Sequence, residues 1–216
     1  MIGILAYGSL LADPGWEIKD HTDRIIRSVD TPFPVEYARR SRTRSGAPTL
    51  VPVQPGKGIP VQAAVIVLKE SNSLQNACDI LYRREIHRPG DLQKKYREPR
   101  GQNTDHIRID VLRDFAGLDT VVYTNLSCNF EQIVDDTYDD HEKAELLSIA
   151  ARESLTEETF YTCQDGIHYL DTARHYGVRT RLTDIYLRAI LALSGHATDL
   201  ATARVLLAKS KGIITE

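Results

Sequence analysis

The chain reads as an α+β protein, and three observations predict it. Apolar runs of strand length lie mainly before residue 125. Segments with helical periodicity lie mainly after residue 135. Strands and helices segregated in this way point away from a doubly wound parallel sheet, in which they alternate. Residues 61–68 (VQAAVIVL) form an unbroken run rich in β-branched side chains, the mark of an interior strand.

The elements follow in order. Residues 2–7 make a short apolar first strand. Residues 11–22 are mixed and hold Asp13-Pro14-Gly15, a turn signal. Residues 25–29 and 35–39 read as two strands around Thr31-Pro32-Phe33-Pro34. A polar, arginine-rich loop over 41–48 leads to a strand at 49–54, which Gln54-Pro55-Gly56-Lys57-Gly58 ends. Leu74, Ala77, Cys78 and Leu81 share one helical face over 73–84, with Ser71 or Ser73 as the cap. Arg88-Pro89-Gly90 stops that helix. A charged loop over 91–106 precedes strands at 106–112 and 120–124. Helices are expected at 142–153, 166–176, 182–193 and 197–209, with Gly177 and Gly195 placed as C-terminal caps. A composition shift near residue 130 divides a core over 1–130 from a helical part over 131–216, packed on it as the same domain.

Bulk composition excludes several classes. The 216 residues hold 27 basic and 30 acidic side chains, a net charge of −3, which argues against a generally basic nucleic-acid binder. No apolar run approaches the roughly 20 residues of a membrane span. The N-terminus lacks the basic flank and long apolar core of a signal peptide. Three widely spaced cysteines, Cys78, Cys128 and Cys163, form neither a disulfide framework nor a CxxC metal site. A soluble cytoplasmic protein is expected, so the glycosylation pattern at Asn125-Leu126-Ser127 carries no weight.

Two stretches carry chemistry. Tyr7-Gly8-Ser9-Leu10 breaks the first strand where it reaches the surface. Consecutive N–H groups in such a turn cradle an anion such as a carboxylate, and glycine allows close backbone approach. A plain strand-ending turn is the other reading. Leu81-Tyr82-Arg83-Arg84-Glu85 places a carboxylate at a helix end, where the macrodipole disfavours it. It reads either as a solvated helix end or as a functional acid.

Taken together, the turn and the later helix-end Tyr82-Arg83-Arg84-Glu85 resemble the γ-glutamylcyclotransferase-like superfamily. Tyr37-Ala38-Arg39-Arg40-Ser41 with Ala47-Pro48-Thr49-Leu50 is similar to its Arg-Arg segment and following strand. Val121-Val122-Tyr123-Thr124-Asn125 resembles the strand after the catalytic Glu. Gly166-Ile167-His168-Tyr169-Leu170 and Thr183-Asp184-Ile185-Tyr186-Leu187 resemble helices of the ChaC-type branch. Two departures stand out: Leu10 replaces the Asn of some branches, and Cys163-Gln164-Asp165-Gly166 replaces a Gly-Pro-Ser-Gly-like lead, so glutathione specificity is not implied.

The resemblance implies a small mixed β-barrel with flanking helices and extra C-terminal helices. It implies an enzyme without metal or cofactor that releases 5-oxoproline from a γ-glutamyl peptide, amino acid or amine. Glu85 is then the general acid/base, with a pKa raised by burial and with Arg83 and Arg84 turned away. Tyr7, Gly8, Ser9 and Leu10 grip the glutamyl end mainly through backbone N–H groups, and Tyr169 matches a late Tyr that contacts it. The partner is a small γ-glutamyl molecule, with no nucleic acid and no membrane. A binding or regulatory domain of the same fold, holding an acidic metabolite, is the alternative.

Other candidates read as structural. Arg39, Arg40, Arg42 and Arg44 make a solvated face without aromatic interleaving. Asp135, Asp136, Asp139, Asp140 and His141 lack the spacing of a calcium loop. His168 and His175 share a helix face without a third ligand. Gln54–58 lacks phosphate-loop spacing. Cys128 and Cys163 have no local His, and Tyr82, Tyr123 and Tyr186 read as core.

Overall fold

The computed structural model describes residues 1–99 and 106–215, so the expected loop at 91–106 lies partly outside the described residues. The fold is α+β, with a mixed five-stranded sheet, a two-stranded sheet and several helices. The chain forms two compact units. One comprises 1–32 and 61–127, and the other 33–60 and 128–216. Residues 33–60, expected within the 1–130 core, thus cluster with the C-terminal helices.

The first unit is built on β1 (Ile2–Ala6), α1 (Ser9–Ala12), α2 (Trp16–His21), β2 (Thr22–Asp30), β5 (Gln62–Leu68), α3 (Leu74–Glu85), β6 (Ile109–Phe115) and β7 (Leu118–Thr124). The sheet order is β2-β5-β1-β7-β6, with β1 antiparallel to β5 and parallel to β7. This is an open order, and among the described residues no ladder closes it into the expected barrel. Side chains two apart on a strand share a face. Ile4 and Ala6, Ile66 and Leu68, Ile109 and Val122 therefore meet Ala77, Cys78, Ile80 and Leu81 of α3 in one buried cluster. Gly3 sits in the centre of the sheet because a Cβ there would lie 2.5 Å from Val65 Cγ1.

Two short helices, α1 and α2, replace the mixed segment expected at 11–22. Each is too brief to show a helical period. The β6–β7 turn runs through Ala116 and Gly117, both at positive φ, as a tight hairpin requires.

The second unit contains the hairpin of β3 (Val35–Ser41) and β4 (Ala47–Pro52). Its helices are α4 (Glu131–Val134), α5 (Asp140–Glu153), α6 (Glu157–Tyr161), α7 (Gly166–His175), α8 (Thr183–Leu193) and α9 (Leu200–Ser210). Gly166 lets α7, α5 and β4 converge, since a Cβ there would lie 2.9 Å from both Ala151 Cα and Pro48 Cδ. Asp165 is fully buried and caps α7 by accepting from the Ile167 and His168 N–H groups. Arg204 of α9 completes that carboxylate at 2.7 Å. The acidic run is consumed structurally. Asp139 closes a capping box on α5 with Glu142, Asp136 pairs with Lys57, and Asp140 pairs with Arg181. No described helix is long and apolar enough to cross a membrane.

Candidate active site

The opening turn is shaped by Gly8, whose φ of 61° and ψ of −133° suit glycine alone. It starts α1, and the Leu11 N–H donates to its carbonyl. The first N–H groups of any helix have no intrahelical partner, and here these are the N–H groups of Ser9 and Leu10. The Leu10 side chain is buried in the cluster under α3, so only its backbone can serve a ligand. The Tyr7 hydroxyl donates to the Thr124 carbonyl at 2.8 Å. That bond ties the end of β1 to its parallel neighbour β7.

Glu85 is the last residue of α3. The helix closes with a paired motif: the His87 N–H donates to the Arg84 carbonyl, and the Arg88 N–H to the Arg83 carbonyl. His87 takes a left-handed φ of 54° to do so. This bend fixes where the Glu85 side chain leaves the helix.

Arg83 and Arg84 were both expected to turn away from Glu85, and they part company. Successive residues on a helix point about 100° apart. Arg83 enters the interior and grips Glu17 of α2 through Nε at 2.9 Å and Nη2 at 2.6 Å. The two side chains are only 3% and 6% exposed. Glu17 also accepts the Gly90 N–H, and Arg83 donates to the Lys94 carbonyl.

Arg84 instead bends toward Glu85. Its Nη1 donates to Glu85 Oε1 at 2.9 Å, and its Nη2 to Ser9 Oγ at 3.3 Å and the Asp13 carbonyl at 2.9 Å. One guanidinium therefore spans the turn and the carboxylate. Asp13 anchors the same corner: the Gly15 N–H and Lys19 ammonium it accepts hold its carboxyl below the usual range. Sequence reasoning missed this role of Arg84, Asp13 and Glu17. The only available signal was Asp13-Pro14-Gly15, a turn that reads the same with or without a guanidinium against it.

Tyr7, Gly8, Ser9, Leu10 and Glu85 all belong to the first unit, while Tyr169 belongs to the second. There the Tyr169 hydroxyl accepts the Leu50 N–H at 3.3 Å, and the Arg44 guanidinium lies 5.3 Å from its ring. The arginine loop is not wholly a solvated face, since Arg39 is buried and Arg40 stacks on Phe130. Cys163 is exposed, and burial pushes the Cys128 thiol upward, away from the thiolate a nucleophile needs. Among the described residues no group of three or more His, Cys, Asp or Glu gathers to hold a metal. No family model, curated protein or solved structure matches this chain.

Proposed function

We propose that the protein is a cytoplasmic γ-glutamyl cyclotransferase, releasing 5-oxoproline from a small γ-glutamyl substrate by intramolecular aminolysis. The observation that carries this reading is the single guanidinium shared by Ser9 of the turn and Glu85. It keeps a proton carrier within reach of a molecule gripped at the turn. The reading also treats the five-stranded sheet as part of a small mixed β-barrel.

The chemistry needs little beyond placement. The α-amine and γ-carbonyl of a γ-glutamyl group already belong to one molecule, so a folded substrate is near attack. The turn N–H groups hold the glutamyl carboxylate or the developing oxyanion. The α-ammonium loses a proton to Glu85 and its nitrogen bonds to the γ-carbon, closing a five-membered ring as the carbonyl opens to an oxyanion. The oxyanion re-forms the carbonyl of the lactam as the old carbon–nitrogen bond breaks. Two protons leave the α-nitrogen in all, and two arrive on the departing nitrogen as it becomes an ammonium. Glu85 ferries them one at a time.

The test offers γ-glutamyl peptides, glutathione and γ-glutamyl amines, and measures 5-oxoproline. Glu85→Gln keeps the shape and loses the proton relay, so kcat falls by about 10²–10⁴-fold. No product from any substrate, or an unchanged rate in the variant, overturns the reading.

A further inference from the structure

We infer that Arg84 is the positioning residue of this site, the group that sets the Glu85 carboxylate against the Tyr7–Leu10 turn. The inference rests on the cyclotransferase reading and names a residue expected from the sequence to turn away from Glu85.

Adjacent residues on a helix do not face one another, so a bond between Arg84 and Glu85 does not arise from ordinary helix geometry. It forms because the helix ends there and because the guanidinium is held from its other side. Nη2 is fixed by Ser9 Oγ and by the Asp13 carbonyl, at the two ends of α1. Asp13 is in turn fixed by Gly15 and Lys19. Gly15 turns the chain beside Arg84 at a φ of 80°, in the left-handed region that favours glycine. The neighbouring cation, Arg83, is committed to Glu17 and cannot substitute. Arg84 and Glu85 are 18% and 16% exposed, drier than a surface pair that water and salt would loosen.

The consequence is a division of labour between the two carboxylate oxygens. Oε1 is held by Arg84, and among the described residues no donor holds Oε2. An anchored Oε1 fixes the plane of the carboxylate while Oε2 takes and returns the proton. Because guanidinium is planar and rigid, it acts as a fixed spacer between turn and acid, which the flexible point charge of lysine does not. Removing the spacer leaves binding at the turn intact and disturbs the proton transfer.

The experiment measures kcat, KM and thermal midpoint for wild type, Arg84→Ala, Arg84→Lys and Ser9→Ala on the best γ-glutamyl substrate. A misplacement of about 1 Å costs on the order of 10²-fold. Arg84→Ala therefore lowers kcat about 100-fold while KM stays near wild type, and millimolar guanidinium ion restores part of kcat without moving the thermal midpoint. Arg84→Lys falls between the two. Ser9→Ala loses less, and adding it to Arg84→Ala costs nothing further, because the bridge is already gone. If Arg84→Ala is too unstable to assay, the Ser9→Ala and Arg84→Lys variants carry the same kcat-against-KM test. An active wild type with an unchanged kcat in Arg84→Ala, or a loss that appears in KM alone, overturns this inference and spares the reading. A wild type that makes no 5-oxoproline overturns both.

Discussion

At residue 87 the helix that carries Glu85 ends on a left-handed residue that is not glycine. The two capping bonds to Arg83 and Arg84 demand that conformation, and a side chain pays steric energy to adopt it. Replacing His87 by glycine removes the crowding, although glycine loses more entropy on folding. The expected gain in His87→Gly is about 1 kcal/mol, a rise in melting temperature of about 2–4 °C for a protein of this size. Destabilisation in a thermal melt would instead mean that the imidazole makes a contact worth more than the strain. The same corner shows where sequence legibility stops at the residue scale. The turn and Glu85 were legible because residue type and order alone mark them. The direction of Arg84 was not, because Ser9 and the Asp13 carbonyl set it, 75 and 71 residues earlier in the chain.

Among elements, α2, α3 and the segment after α3 are joined by one buried ion pair. Glu17 takes two nitrogens of Arg83 and the Gly90 N–H, and Arg83 reaches the Lys94 carbonyl. Further along, Asp79 of α3 accepts the Tyr96 N–H, and the Tyr96 hydroxyl accepts the Ile109 N–H. The segment from Gly90 to Tyr96 is thus clipped along the helix that ends in Glu85. Breaking a buried pair strands a charge without its partner and typically costs about 3–5 kcal/mol. Arg83→Met should therefore lower the urea midpoint strongly, and Glu17→Gln combined with it should recover much of the loss, because the stranded carboxylate is then gone. A double variant no better than Arg83→Met would show that geometry rather than charge is at stake. Long periodic elements, such as β5 and α3, were legible from their own side chains. The helices α1 and α2 were not, since one or two turns give no period, and Glu17 and Ile18 are buried by distant partners, Arg83 for one and the cluster of sheet and α3 side chains for the other.

Across the whole molecule, each unit is assembled from two separate stretches of chain. The order of strands first and helices later hides this, because periodicity says which face of β3 and β4 is apolar and not which element covers it. Glu36 of β3 makes the long-range arrangement measurable. It is fully buried, accepts the Tyr37 N–H at 2.9 Å, and accepts the Leu182 N–H at 3.3 Å from 146 residues away. Burial pushes its carboxyl up from 4.5 to about 7, offset only in part by the Thr180 hydroxyl, these two N–H groups and the charge of Arg181. A raised folded-state value means that the native protein binds more protons than the unfolded chain between about pH 4.5 and 7. The contribution of Glu36 is then fully present below about 4.5 and is lost as pH rises through about 7. The size of the loss is on the order of 3 kcal/mol. Glu36→Gln carries no titrating proton, so its urea stability relative to wild type should improve between pH 5 and pH 8 by about that amount. A difference that does not change with pH would mean that Glu36 keeps the same charge in both states. A difference of opposite sign would mean that the backbone donors outweigh burial and hold the carboxylate ionised.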